Sequence, residues 1–290
     1  MSSLRTVVVT GIALIAACGG DKKGPPPPEP NGIDVVFAGS EPRRVVRYQI
    51  AKGDKIAVEL AIDVELDAGG RGGPLPTLLL ETQIVAEDVL PDRTMRVRAT
   101  IASVGARDRE NGAMSADAMS EHMQMLKGTS LTGTLAADGG IRDLHAEAAQ
   151  RLPPALAQQL DTVAKSFQTI SLPLPRTPIG AGATWRQHKT IEQNGMTLYT
   201  ESMIVVTALD ERSLTFTSTT SLGGPNQKVT MQGIAIEMTS IGGAGSGKGT
   251  IDLSKMVMTG EASLAFHSDM TAQGETDQME MKMTTRVAPK

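Results

Sequence analysis

From Lys55 to Leu66 the chain reads KIAVELAIDVEL, and Ile56, Val58, Leu60, Ile62, Val64 and Leu66 alternate with Lys55, Ala57, Glu59, Ala61, Asp63 and Glu65. Successive side chains of a strand point to opposite faces, so this pattern predicts a long strand with one face buried and one in water. The same period of two recurs at Met95, Val97, Ala99 and Ile101, at Leu214 and Phe216, and at Ile251 and Leu253. It returns at Ala262, Leu264 and Phe266, and at Met279, Met281 and Met283. Lys52-Gly53-Asp54, Pro91-Asp92, Asp138-Gly139, Asn194-Gly195 and the glycine-rich stretch from Gly242 to Gly249 favour reversals between these runs. Consecutive strands are therefore expected to be antiparallel neighbours joined by hairpins.

Two segments break this rhythm. Between Pro153 and Phe167, the residues Leu156, Leu160, Val163 and Phe167 share one face at helical spacing after a Pro-Pro start, which predicts an amphipathic helix. A shorter helix is expected over Ser115 to Leu126, with Ser115 as its cap, Met119, His122, Met123 and Leu126 along it, and Gly128 as its stop. The fold class that follows is mainly β: a large antiparallel curved sheet or half-barrel with one or two amphipathic helices packed on it. A sheet with one apolar face must either close on itself or be covered. The segment LPLPRTPIGAGATW, Leu172 to Trp185, follows the longer helix, and Pro173, Pro175 and Pro178 oppose ladder pairing there. It separates two loosely similar halves, 33–150 and 183–290, of a single domain over 33–290, and Trp185 opens the second set of strands.

The chain begins with a different pattern. Arg5 precedes an apolar run from Val7 to Ala17 that is too short to span a bilayer, and Ile15-Ala16-Ala17 leads directly to Cys18. Residues 1–17 read as a signal peptide and 18–32 as a lipidated N-terminus followed by a tether. In GGDKKGPPPPEPNG, Gly19 to Gly32, four consecutive prolines withhold the donors that helices and sheets need. An extended polyproline stretch rises about 3.1 Å per residue, so these residues would hold a domain on the order of 40 Å from a bilayer.

Ile15-Ala16-Ala17-Cys18 resembles the lipobox of bacterial lipoproteins. With LKGTSLTGTLAADGGI and LPRTPIGAGATW, in which Pro178, Gly180, Gly182 and Trp185 form a strand opening, the chain resembles exported lipoproteins of the LolA, LolB and LppX half-barrel type. The resemblance implies acylation of Cys18, anchoring in the cell envelope, and a hydrophobic cavity between sheet and helix able to hold an acyl chain. Leu156, Leu160, Val163, Phe167 and Trp185 are the residues expected to line it. Gly19 stands where an aspartate would mark inner-membrane retention, so the resemblance implies the outer membrane.

Composition narrows the function classes. Cys18 is the sole cysteine, so no intramolecular disulfide can form. A net charge of −4, without a basic tract, argues against nucleic acid as a partner. Seven aromatics in all, one Trp, two Tyr and four Phe, supply few stacking platforms. GGAGSGKGT, Gly242 to Thr250, has the outline of a phosphate loop but carries Gly249 where the hydroxyl residue belongs, so it reads as a hairpin loop. His122, His145, His188 and His267 show no metal-ligand spacing, no nucleophile elbow is present, and the charged neighbours Glu275, Asp277 and Glu280 ill suit a soft copper site at the methionines. No catalytic residue, metal or cofactor is expected. The reading is a non-enzymatic, membrane-anchored lipoprotein that binds a lipid or other hydrophobic ligand. The alternative is a structural or protein-interaction lipoprotein of the envelope with no small ligand.

Overall fold

The computed structural model describes residues 32–147 and 172–290, except 194, 232, 233 and 256. Cys18, the tether and the expected helix of Pro153 to Phe167 lie outside the described residues. The strands are β1 (Ile33–Phe37), β2 (Lys55–Ala68), β3 (Arg71–Pro74), β4 (Thr77–Val89), β5 (Met95–Arg107), β6 (Ser130–Leu135) and β7 (Ile141–Ala146). The second series is β8 (Thr184–Gln193), β9 (Met196–Leu209), β10 (Ser213–Gly223), β11 (Gln227–Met231), β12 (Ile234–Asp252), β13 (Val257–Ala272) and β14 (Glu275–Pro289). All fourteen belong to one sheet, in the order β1-β8-β9-β10-β12-β13-β14-β2-β4-β5-β6-β7, with β3 and β11 as side branches on β2 and β12.

Every pairing is antiparallel, and the chain is mainly β as its alternation predicts. The sheet does not close into a barrel. Most neighbours are hairpin partners, but two pairings are not local. β14 runs between β13 and β2, with Met279 opposite Ala68 and Val287 opposite Leu60, so the last strand ties the two halves of the chain together. β1 crosses to the far edge and pairs β8, with Val35 opposite Trp185.

Burial falls on one face. Along β2 the buried positions are Val58, Leu60, Ile62 and Val64, and the intervening residues are partly or fully accessible. The opposite face carries charge in cross-strand pairs, Arg286 to Asp63 at 2.9 Å and Lys282 to Glu65 at 3.5 Å. Such pairs contribute little individually at a wet surface, but they keep that face in water. Among the described residues no second sheet covers the apolar face, which is buried by curling.

The curl brings the two edges of the sheet together at one end. The amide of Leu174, on the approach to β8, donates to the carbonyl of Asp138 in the β6–β7 turn at 2.6 Å. Residues 38–54 run across this same end. Arg44 and Ile179 exchange backbone hydrogen bonds of 2.9 and 3.0 Å, the Tyr48 amide donates to Ala137, that of Gln49 to Leu253, and that of Gly53 to Ala86. Val46 and Ile50 on this strap are buried. Fully burying such a side chain contributes about 2 kcal/mol.

The shorter helix forms as α1 (Ala116–Met123), with the Ser115 hydroxyl accepting from the Ala118 amide at 3.3 Å. A 3₁₀ turn, Gln124–Leu126, completes it, and Gly128 takes φ +82° where the chain turns into β6. Met119 and Leu126 pack into the core beside β5.

One expectation is corrected. The stretch from Gly242 to Gly249, read as a reversal and hairpin loop, is the middle of the nineteen-residue β12. Its glycines are strand residues because β10 and β13 flank it, with Gly243, Gly247 and Gly249 opposite Leu222, Ser218 and Phe216 on β10. A Cβ at Gly243 would collide with the Ala265 carbonyl, and one at Gly249 would stand 2.7 Å from the Thr259 oxygen. Two complete ladders outweigh the poor intrinsic propensity of glycine. A bulge between Thr239 and Gly242, with Ser240 at φ +52°, flips the inward parity from Met238 to Gly243.

The strap depends on a close backbone approach at Gly180, where a Cβ would overlap the Ser40 carbonyl. Gly180→Ala is expected to lower unfolding free energy by about 2–4 kcal/mol. Gly105→Ala, in β5 with open space around it, should change stability by less than about 1 kcal/mol. Urea denaturation of both variants checks the contrast, and equal losses would remove the strap contact as the cause.

Candidate functional site

The inner face of the curl is not uniformly apolar. One cluster, at the α1 end, includes Leu60, Leu80, Ile101, Leu126, Leu198, Phe266 and Met281. A second, at the strap end, includes Val46, Leu174, Ile179, Trp185, Ile204, Leu214 and Ile251. On β8 Trp185, Gln187, Lys189 and Ile191 share the parity of the inward face; Trp185 and Gln187 are buried, while Lys189 and Ile191, like His188 and Thr190, are half-buried. Trp185 belongs to the strap cluster and Ile191 packs against the α1-end cluster. Gln187 and Lys189 thus stand between two apolar bodies.

A cleft of about 740 Å³ opens at this place. One wall is the β1–β8 edge, with Ile33, Val35, Gln187, Lys189 and Ile191. Facing it is the other end of the sheet path, Asp138 and Gly140 to Arg142 at the start of β7. Residues 173–177 run between the two, and Thr190 and Glu192 complete the rim. The volume lies in the range of small-molecule pockets, and the lining mixes apolar side chains with five charged ones, Asp138, Arg142, Arg176, Lys189 and Glu192. Beside the cleft, β1 pairs β8 only from Gln187 to Thr184, and β7 is six residues long.

The charges are unevenly arranged. Arg176 stands 3.6 Å from Asp138, whose other oxygen accepts from the Gly140 amide at 3.2 Å. Lys189 is the charged group on the inner face of β8, and burial lowers its ammonium from 10.5 to about 8. On the outer face of the same strand, Arg186 and His188 flank Glu201 of β9 at 3.6 and 3.5 Å. Among the described residues no three His, Cys, Asp or Glu side chains converge as a metal site.

Of the expected lining residues, Leu156, Leu160, Val163 and Phe167 lie outside the described residues, as does Cys18. Trp185 is fully buried in the strap cluster, one inward position below Gln187, and among the described residues its indole N–H has no hydrogen-bond partner. Gln187 and Lys189 went unrecognised because WRQHKTIEQ lacks apolar alternation. The available signal was register: both share the parity of Trp185 and Ile191, so a strand starting at Trp185 points them inward. No protein-family model matches the chain, and neither does any curated protein.

Lys189 makes stability depend on pH. The folded chain releases its proton near pH 8 and the unfolded chain near 10.5, so between these values the unfolded state binds more protons and stability rises with pH. Lys189→Met is therefore expected to abolish this rise in stability between pH 8 and 10.5. Denaturant titrations of both proteins at pH 7 and 10 test this, and an equal rise in the variant would contradict a desolvated amine at Lys189.

Proposed function

We propose that this protein is a membrane-anchored, non-enzymatic lipoprotein of the bacterial cell envelope whose β domain binds a lipid or another hydrophobic ligand. The observation that carries the reading is the 740 Å³ cleft at the sheet seam, between two apolar clusters and walled by Ile33, Val35, Leu174 and Ile191. An apolar chain placed there would continue the surfaces that both clusters present. The lipobox-like Ile15-Ala16-Ala17-Cys18 and the proline tether support the anchor. Acyl chains on Cys18 would hold the protein on the outer membrane, since one chain binds marginally and two or more bind stably. The tether would let the domain stand clear of the bilayer.

A second reading, an envelope protein that docks another protein, is favoured by Val36 and Phe37. They are 54% and 56% exposed on β1, the strand at one edge of the sheet. An apolar edge of this kind suits strand addition by a partner.

Two measurements test the proposal. Cys18→Ala is expected to move the protein out of the membrane fraction, and unchanged fractionation would refute the anchor. Native mass spectrometry with lipid extraction, on protein purified from the envelope, is expected to show a co-purifying lipid. A clean apo mass together with a stoichiometric protein partner would replace ligand binding with the docking reading.

A further inference from the structure

We infer that the domain docks on the bilayer that anchors it, through an apolar patch on the outer face of the sheet made by Val36 and Phe37 of β1 with Met203 and Val205 of β9. This rests on the membrane-anchor reading and adds the face of the domain that meets the lipid. Three observations carry it.

The first is the patch itself. Trp185 and Ile204 are buried on the inner face, so their sequence neighbours Thr184, Arg186, Met203 and Val205 belong to the outer one. Phe37 stands opposite Thr184, Thr184 opposite Val205, and Arg186 opposite Met203. Phe37 therefore shares a rung of the outer face with Val205, and the bulge between Val35 and Phe37 leaves Val36 exposed beside it. Met203 and Val205 are half-buried. The nearest charges offset one another: Arg186 stands 3.6 Å from Glu201, and Arg43 stands 3.5 Å from Glu41 just beyond β1. With neither sign in excess, a contact at this place rests on the apolar side chains.

The second is where the anchor joins the fold. The Gly32 carbonyl accepts from the His188 amide at 3.0 Å, so the chain leading from Cys18 enters the sheet at its edge strand. Phe37 follows five residues later, about 17 Å along a strand that rises about 3.3 Å per residue. The shortest path from the bilayer to the domain therefore ends beside the patch. The third is size. Two exposed and two half-buried side chains fall well short of the about 800 Å² that each partner contributes to a stable protein interface. For a domain already held by its N-terminus, contact with the bilayer is intramolecular, and a small apolar area is enough to select an orientation.

Amide hydrogen exchange tests the inference. The protein purified from bacterial membranes is reconstituted on vesicles of phosphatidylethanolamine and phosphatidylglycerol and compared with the chain carrying Cys18→Ala in solution. Amides of residues 33–38 are expected to exchange about fivefold or more slowly on the vesicles, while those of β4 keep their rates. Val36→Ser combined with Phe37→Ser, both at exposed positions, should retain vesicle association and lose the slowing. The slowing should be the same at low and high protein density on the vesicles, and slowing that grows with density would replace lipid with a contact between protein copies. Vesicle association without slowing at β1 would overturn the docking and leave the anchor standing. Failure to associate would overturn the anchor and the docking with it. Slowing that survives both serines would overturn the role given to Val36 and Phe37.

Discussion

A sheet that is apolar on one face and, among the described residues, has no second sheet to cover it buries much of that face against itself, and the rest of this structure follows from that requirement. Along β2, Val58, Leu60, Ile62 and Val64 are buried while charged residues occupy the other face in cross-strand pairs. Flat, such a sheet would expose the whole inward row to water at about 25 cal/mol for each Å². The right-handed twist of strands allows it to curl instead. The last strand, β14, enters between β13 and β2, so the curl contains both halves of the chain in one hydrogen-bonded layer.

An unclosed curl has two problems, its ends and its seam. The strap of residues 38–54 covers one end by hydrogen-bonding to turns from widely separated parts of the chain, and α1 packs at the other. The seam is bridged at the strap end, where Leu174 meets Asp138, and stays apart farther up because β1 and β7 are short. The cleft lies beside these short strands. Its chemistry comes from one strand, β8, whose inward row changes from Trp185 to Gln187 and Lys189 before returning to Ile191. Two polar groups in an otherwise apolar row oppose close apolar packing.

The strands with clean alternation were legible from sequence. Lys55 to Leu66 predicts β2 to within two residues at its end, and Met279, Met281 and Met283 face inward on β14 as their spacing requires. The short helix was legible for a similar reason, since Ser115 and Gly128 mark its limits through local hydrogen bonding and backbone conformation. Gly242 to Gly249 was misread because glycine signals a turn when only neighbours in sequence are considered. In the fold, β10 and β13 supply partners on both sides, and their close approach excludes side chains. The cleft residues were missed on the same grounds: Gln187 and Lys189 look like surface residues until the register of β8 turns them inward.

The sequence by itself therefore determined the class of structure, the faces of its well-patterned strands and its short helix. These are properties of residues separated by two to four positions, where periodicity and local hydrogen bonding act. Tertiary structure alone decided that β14 joins the halves, that β1 crosses to β8, that a glycine run serves as a central strand, and that a cleft opens at the seam. Each of these depends on contacts between residues distant in sequence, and an apolar alternation states that a face must be buried without stating against what.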